Sequence, residues 1–293
     1  MNWLLAAHRS ELAAPGDYIT LQAGPDHIAC FNLDGNVYSW DNVCRHRGAR
    51  VLQGTHGNKA LTCPYHGLTG MATVGEQYLT QWIGDFLFVG DGSTRIEDDL
   101  NDFGPLLTGI SKMIAGRHSF EQLPMPCEWK VAVENTLEDY HVATVHADSI
   151  GKLRLKLDST DQHGKNSGAL YTIEDPHTVK GLEAMAKYFE EVRPSHYFHL
   201  FLYPYTCLSS VGGLTFSLQH YLPSGGYTNL HTRLYGAKTK PGAPDMRWLY
   251  DEATSFNRLV FEQDAAICAR IVDDGTFLTA SETRVQWFRD AHK

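Results

Sequence analysis

The chain has 293 residues, 43% hydrophobic and 20% charged, with a net charge of −9. That length supports about two domains with a sizeable core, and the mix excludes disorder, collagen and coiled coil. The negative balance argues against nucleic-acid binding.

In chain order, the apolar run at residues 3–7 is far too short to span a bilayer. It has no positive leader or cleavage site, so neither a membrane protein nor an exported one is expected, and the cytoplasm is the expected location. Six cysteines then read as thiols or metal ligands rather than disulfides. Residues 17–22 and 27–33 read as strands. Asp34-Gly35 is a hairpin signal, because both tolerate positive φ, and residues 36–40 continue as the partner strand. Residues 62–65 and 86–89 are weaker strand candidates. The acidic run 97–102 reads as a linker or solvated corner. Residues 129–145 read as one helix, and 197–235 as an antiparallel meander punctuated by Gly212-Gly213 and Ser224-Gly225-Gly226. Pro244 opens a long helix ending near Asp273 or Asp274, with an apolar stripe of Leu249, Ala253, Phe256, Val260, Ile267 and Ile271. The member missing from that stripe is Asp264.

The most specific pattern is Cys44-Arg45-His46, sixteen residues, then Cys63-Pro64-Tyr65-His66. Thiolates and imidazoles suit zinc or an iron–sulfur cluster. The spacing is unlike a zinc finger and resembles the Rieske motif, in which one iron of a [2Fe–2S] cluster takes two cysteines and the other two histidines. Gly48 and Gly67 let the backbone turn closely around the sulfurs. Respiratory Rieske proteins carry two further cysteines; Ala49 and Tyr65 stand in the corresponding positions here, which favours the ferredoxin and oxygenase branch.

A second loaded stretch runs from Glu134 to His141 and on to His146. Glu138 and His141 are three apart and share a helix face. His146 lies about 140° further round an ideal helix, so both histidines can meet one metal only if the helix bends or ends between them. Asp264 in an apolar stripe must be paired, with Arg258 or Arg270 as partner, or bind a metal. Two histidines and one carboxylate make the facial set that holds non-haem Fe(II) with positions left open, which makes His141, His146 and Asp264 the candidate ligands.

With these landmarks the chain resembles the catalytic α subunit of a Rieske non-haem iron oxygenase, of the aromatic-ring-hydroxylating type, from about Pro15 to Asp274. The resemblance implies an α+β architecture: a β-rich Rieske domain over 15–100 and a helix-grip catalytic domain over 101–293, with residues 1–14 packing on the latter. It implies a [2Fe–2S] cluster on Cys44, His46, Cys63 and His66, and a mononuclear Fe(II). It also implies a head-to-tail homotrimer in which Glu138 links His66 of the adjacent chain to His141, with Asp139 as the alternative bridge. Arg45, Arg47 and Arg50 either meet acids of that neighbour or form a solvated basic loop. No dinucleotide-binding glycine motif is present, so electrons are expected from a separate flavin reductase or ferredoxin. The implied activity is hydroxylation, demethylation or dihydroxylation of a small organic substrate with dioxygen, with a lean toward monooxygenation from the glutamate at 138. An electron carrier, or a small-molecule-binding module without oxygenase activity, is the alternative. Tyr140, Val145, Phe201, Tyr203, Phe216 and Leu218 are the candidate pocket residues, since aromatics would stack on a ring or hold a cationic amine. Cys30, Cys127, Cys207 and Cys268 are expected to be buried thiols, and His8, His56, His163, His177 and His292 surface residues.

Overall fold

A computed structural model describes residues 3–272 and 282–292. The chain divides into two compact units between Lys112 and Met113. Among the described residues no helix is long and apolar enough to cross a membrane.

The first unit is a seven-stranded antiparallel sheet. Its strands are β1 (Leu4–His8), β2 (Asp17–Ala23), β3 (Asp26–Leu33), β4 (Asn36–Asp41), β5 (His56–Asn58), β6 (Gln77–Ile83) and β7 (Phe86–Gly90), in the order β1-β7-β6-β4-β3-β2-β5. The hairpin between β3 and β4 turns at Asp34 (φ 52°) and Gly35 (φ 94°), and Asn32 Oδ1 accepts the Gly35 N–H. The apolar run at the start is the fully buried β1, paired with β7; within the segment 1–14 expected on the catalytic part, Leu4–His8 therefore contribute a strand to this first sheet. His8 is buried as well, not at the surface, with Nε2 against the Ser111 carbonyl (3.1 Å) and its ring edge-on to Phe86.

Two further expectations are corrected here. Residues 62–65 form no strand: Thr62 makes a single bridge to Thr69, and the chain between them is a tight loop. The acidic run is helical, α1 (Ile96–Leu100), followed by α2 (Phe103–Met113). Glu97, Asp98 and Asp99 fall in the first turn of α1, where carboxylates complement the helix dipole, and Ile96 and Leu100, four apart, are both buried.

The second unit is another seven-stranded antiparallel sheet. It comprises β8 (Ile114–Met125), β9 (Leu155–His163), β10 (Asn166–Ile173), β11 (His196–Leu202), β12 (Thr206–Val211), β13 (Thr215–Ser224) and β14 (Tyr227–Ala237), in the order β8-β14-β13-β12-β11-β10-β9. The remaining helices are α3 (Trp129–Leu137), α4 (Val142–Val145), α5 (Pro176–Ala186), α6 (Arg247–Cys268) and α7 (Thr283–Asp290). The long α6 lies against β8 and β14, and α3 packs between α6 and β13. This sheet gripping a long helix is the architecture expected. Helix α6 starts at Arg247 rather than Pro244, with Asp245 Oδ1 accepting the Arg247 N–H. It ends at Cys268, so Ile271 lies beyond it and is exposed. The expected end at Asp273 or Asp274 lies outside the described residues. The buried side chains of α6 are Phe261, Asp264 and Cys268.

Strand β13 is buried on both faces, and its alternation decides which residues can meet a ligand. Phe216 and Leu218 point away from Thr215, Ser217 and Gln219. Phe216→Ala is accordingly expected to lower stability by about 3–5 kcal/mol in denaturant unfolding while leaving substrate KM unchanged. A raised KM with little loss of stability would return Phe216 to the pocket.

Candidate metal centres

Cys44 and Cys63 sit at equivalent places in two similar loops. Each begins with a single antiparallel bridge, Val43 to Arg50 and Thr62 to Thr69. In each, a glycine N–H donates back to the cysteine carbonyl, Gly48 to Cys44 (2.9 Å) and Gly67 to Cys63 (3.0 Å). Both glycines have positive φ, 71° and 69°, which an L side chain would strain. Both thiols are buried, while His46 and His66 are exposed at the loop tips with ring centroids 4.6 Å apart. The Tyr65 N–H, and with it the His66 N–H, lowers the Cys63 thiol pKa against the opposing effect of burial. Paired buried sulfurs in hydrogen-bond contact, backbone donors aimed at one of them and two adjacent imidazoles form a donor set that fits a [2Fe–2S] cluster. Arg45 Nε is bonded to the Val74 carbonyl (2.8 Å) and Arg50 to Gln22 Oε1 (3.2 Å), so two of the three basic residues already have partners in their own chain.

The second donor set exists because the expected single helix breaks. Helix α3 stops at Leu137, and Glu138 is extended (φ −117°, ψ 161°). The Glu138 carboxylate therefore does not reach His141 along a helix face. It caps the next turn: Oε2 accepts the N–H groups of Tyr140 and His141 (the latter 3.1 Å), and Oε1 meets His141 Nδ1. The end expected between the two histidines falls at the second of them: α4 is a single short turn flanked by His141 and His146, and it stops at His146 (φ −109°, ψ 24°). Candidate ligand atoms of His141, His146 and Asp264 all lie within 4.8 Å of one another. Asp264 Oδ1 is 2.9 Å from His146 Nε2 and 3.6 Å from His141 Nε2. Neither expected arginine is its partner; Arg258 pairs with Glu121, and Arg270 is exposed.

Whether this set suits a metal turns on the outer nitrogens. His141 Nδ1 faces a carboxylate, and His146 Nδ1 faces Gln263 Oε1 (2.8 Å), which also accepts from Ser149 Oγ (2.6 Å). With Nδ1 bonded outward in both rings, each Nε2 is directed at Asp264, where it carries either a proton donated to the carboxylate or a metal, the orientation that metal-binding histidines need. Asn135 Nδ2 holds Asp264 Oδ1 from the other side (2.8 Å). Burial disfavours a charged Asp264, yet its bonds to His141 and His146 prevail and hold its pKa at about 2. Burial likewise opposes protonation of His141, but Asp264 and Glu138 together push its pKa up to about 9. The residues present fit a mononuclear iron.

The cavity beside them, about 100 Å³, is walled by α3, α4, α6 and the sheet. None of the six expected pocket residues lines it. Tyr140 is 61% exposed, and Val145 lies outside the wall. Phe201 packs into the core with Phe288, with Tyr203 against the same cluster, and Phe216 and Leu218 occupy the far face of β13. The wall residues that sequence reading passed over are Tyr197 and His199 on β11, Ser209 and Val211 on β12, and, on β13, the residues of opposite parity to Phe216 and Leu218: Thr215, Ser217 and Gln219. One signal was available on β13, where Thr215, Ser217 and Gln219 alternate with Phe216 and Leu218 and need partners once buried.

Comparison with known proteins agrees with this arrangement. Residues 2–73 match the family model described as Rieske [2Fe-2S] domain, and residues 114–289, more than half the chain, match that of the ring hydroxylating alpha subunit (catalytic domain). The carnitine monooxygenase oxygenase subunit of Acinetobacter baumannii is 32% identical over 51% of this chain and 48% of its own length. The glycine betaine monooxygenase oxygenase subunit of Chromohalobacter salexigens is 31% identical over 55% and 41%. The large oxygenase component of a naphthalene 1,2-dioxygenase system from Ralstonia sp. is 30% identical over 51% and 40%. The chain thus spans about half the length of the curated relatives it matches. A crystal structure of a quaternary ammonium Rieske monooxygenase superposes with a TM-score of 0.78 at 19% identity, covering 99% of this chain and 89% of that one. That of naphthalene 1,2-dioxygenase from Rhodococcus sp. gives 0.65 at 15% identity, over 99% and 88%. These likenesses show the fold.

Proposed function

The chain belongs to the ring-hydroxylating α-subunit family, and from that premise we propose that it is the terminal oxygenase component of a multicomponent system. It inserts oxygen from dioxygen into a small organic substrate, in the cytoplasm, on electrons from a separate flavin reductase or ferredoxin. The observation that carries this is the convergence of His141, His146 and Asp264, with both Nδ1 atoms already held by acceptors, on the edge of a cavity. An electron carrier needs no such set, and a passive binding module does not require three ligand side chains pre-oriented in its cavity.

Cys44, His46, Cys63 and His66 would hold the [2Fe–2S] cluster, and His141, His146 and Asp264 the Fe(II). When bound, the cluster supplies single electrons and the mononuclear iron the site of dioxygen reduction. The chain's own residues do the rest. Glu138 fixes the tautomer and tilt of His141. Gln263 and Ser149 do the same for His146, and Asn135 restrains Asp264. Apolar members of the wall, among them Val142, Ile150, Leu155, Phe256 and Val260, keep water from the reacting carbon. Glu138, already bonded to His141, is the group we assign to bridge to His66 of a neighbouring copy in a homotrimer. Asp139 makes no hydrogen bond to His141, and burial, then the Glu138 charge, raises its pKa. Two relatives are named as monooxygenases of quaternary amines, which together with the glutamate at 138 favours monooxygenation, hydroxylation or N-demethylation.

Purified protein is expected to contain iron in the amount of one [2Fe–2S] cluster plus one further atom per chain, with acid-labile sulfide. It should consume oxygen with a surrogate reductase and a member of a panel of aromatic, terpenoid and quaternary-amine compounds. Cys44→Ala should abolish the cluster absorption, and His141→Ala should leave it in place. Zinc without sulfide would sink the proposal.

A further inference from the structure

One wall of the cavity has chemistry that the metal ligands do not use. His199, Ser209 and Ser217 form a single cross-strand row over β11, β12 and β13, His199 opposite Ser209 and Ser209 opposite Ser217. All three are buried and all three line the cavity. Gln219 Nε2 donates to both hydroxyl oxygens, Ser209 at 3.2 Å and Ser217 at 3.0 Å, and Ser209 also bonds the Tyr197 side chain on the same wall, so Ser217 and the Ser209–Tyr197 pair each keep one hydroxyl hydrogen for another acceptor.

The proton of His199 is fixed by elimination. Arg284, on α7, brings both terminal nitrogens to 3.1 Å from His199 Nδ1. A guanidinium only donates and stays charged, so Nδ1 is an unprotonated acceptor and the ring hydrogen sits on Nε2. Nε2 is 3.2 Å from the Thr136 hydroxyl, another residue of the wall. Burial, reinforced by the Arg284 charge, also holds the His199 pKa well below the usual imidazole value.

Arg284 is 2% exposed. Its other bonds go to Ser167 Oγ (3.1 Å), the Ser167 carbonyl (3.4 Å) and the Tyr171 side chain; Asp139 on the same wall interacts with its charge, but no carboxylate of a described residue lies within ion-pair distance of it. A buried positive charge therefore stands directly behind a row of neutral donors, an arrangement that favours an anionic oxygen in a water-poor site. Thr136, which touches His199, adjoins Asn135, which holds Asp264. Donor row and ligand set thus lie within the reach of one small molecule.

We propose that His199, held by Arg284 with its proton on Nε2, forms with Ser209 and Ser217 a donor row that binds the carboxylate of a small substrate and sets which carbon faces His141, His146 and Asp264. His199 touches the substrate, and Arg284 acts through it as a positioning residue. This rests on the oxygenase reading of the same cavity.

Titration calorimetry on the purified holoprotein tests it, with two matched probe pairs: glycine betaine against tetramethylammonium, and benzoate against toluene. At least one carboxylate is expected to bind about tenfold or more tightly than its counterpart, since a site built for a polar group rejects the analogue lacking it. His199→Leu should erase that preference without changing affinity for the counterpart. His199→Gln should retain it, because its amide oxygen can accept from Arg284 while its N–H donates to the cavity. If His199→Leu does not fold, the double variant Ser209→Ala, Ser217→Ala, which leaves Arg284 its acceptor, should show the loss. No carboxylate preference in the wild type, or an unchanged preference in the folded variants, overturns the proposal. Oxygen uptake is scored separately: carboxylate binding without uptake in any reductase assay sinks the oxygenase reading and leaves the donor row standing.

Discussion

Asp264→Ala is expected to remove the mononuclear iron and turnover together while the cluster spectrum stays that of the wild type. One oxygen of this carboxylate, Oδ1, is the meeting point of three groups, His146 Nε2, His141 Nε2 and Asn135 Nδ2. The side chain is 9% exposed, so water cannot substitute freely for what is lost. Loss of an outer partner of a metal ligand typically costs about 10–100-fold in affinity or activity, and loss of a ligand costs at least that. Asn135→Ala, which deletes only the outer partner, should fall within that range, and Asp264→Ala below it. Iron per chain from metal analysis and reductase-coupled oxygen uptake give the two readings. An Asp264→Ala protein that keeps its full iron would take Asp264 out of the ligand set.

The sequence made the candidate ligands legible but not the cavity wall beside them, for a physical reason. Cysteines and histidines at tight spacing are rare enough to announce themselves, and a carboxylate in an apolar helical stripe needs explanation wherever it falls. An end between His141 and His146 was posed by geometry, since two histidines five apart cannot share a metal on an unbroken helix, but the break at Glu138, ahead of both, was not. Why the chain breaks there is visible only in three dimensions, where the Glu138 carboxylate captures two backbone N–H groups and ends the helix. The acidic run at 97–102 shows the opposite error: its charges resembled a solvated linker, whereas Ile96 and Leu100 anchor it as a helix.

On β13 the face that meets the cavity was missed because side-chain size was weighed above strand parity. Phe216 and Leu218 are the larger side chains of β13, and burial on both faces hides which of them meets a cavity. Parity is set by pairing across the sheet, which a single strand does not state. His199 illustrates the same limit. Nothing in its neighbourhood along the chain predicts Arg284, 85 positions later, yet that contact decides which nitrogen carries its proton.

Glu138→Gln is expected to leave both iron sites filled and to slow electron passage between them by about 10–100-fold, the range for a disturbed outer partner of a histidine ligand. Both oxygens of Glu138 are acceptors in use, one for His141 Nδ1 and one for the N–H groups of Tyr140 and His141. Glutamine keeps one oxygen and converts the other to a donor. It can therefore satisfy either the ring or the backbone, and whichever it abandons faces N–H against N–H. His141 Nε2 still points at Asp264, so metal content should hold, which separates this effect from the loss seen in Asp264→Ala. The rate at which the reduced cluster is reoxidised in a single turnover, followed by stopped-flow absorbance, isolates the step from reductase and product release. Asp139→Asn is the paired control, since Asp139 has no bond to His141 and its removal should leave that rate unchanged. If Glu138→Gln reoxidises at the wild-type rate while Asp139→Asn does not, the bridge runs through Asp139, and the contact between Glu138 and His141 is one of position alone.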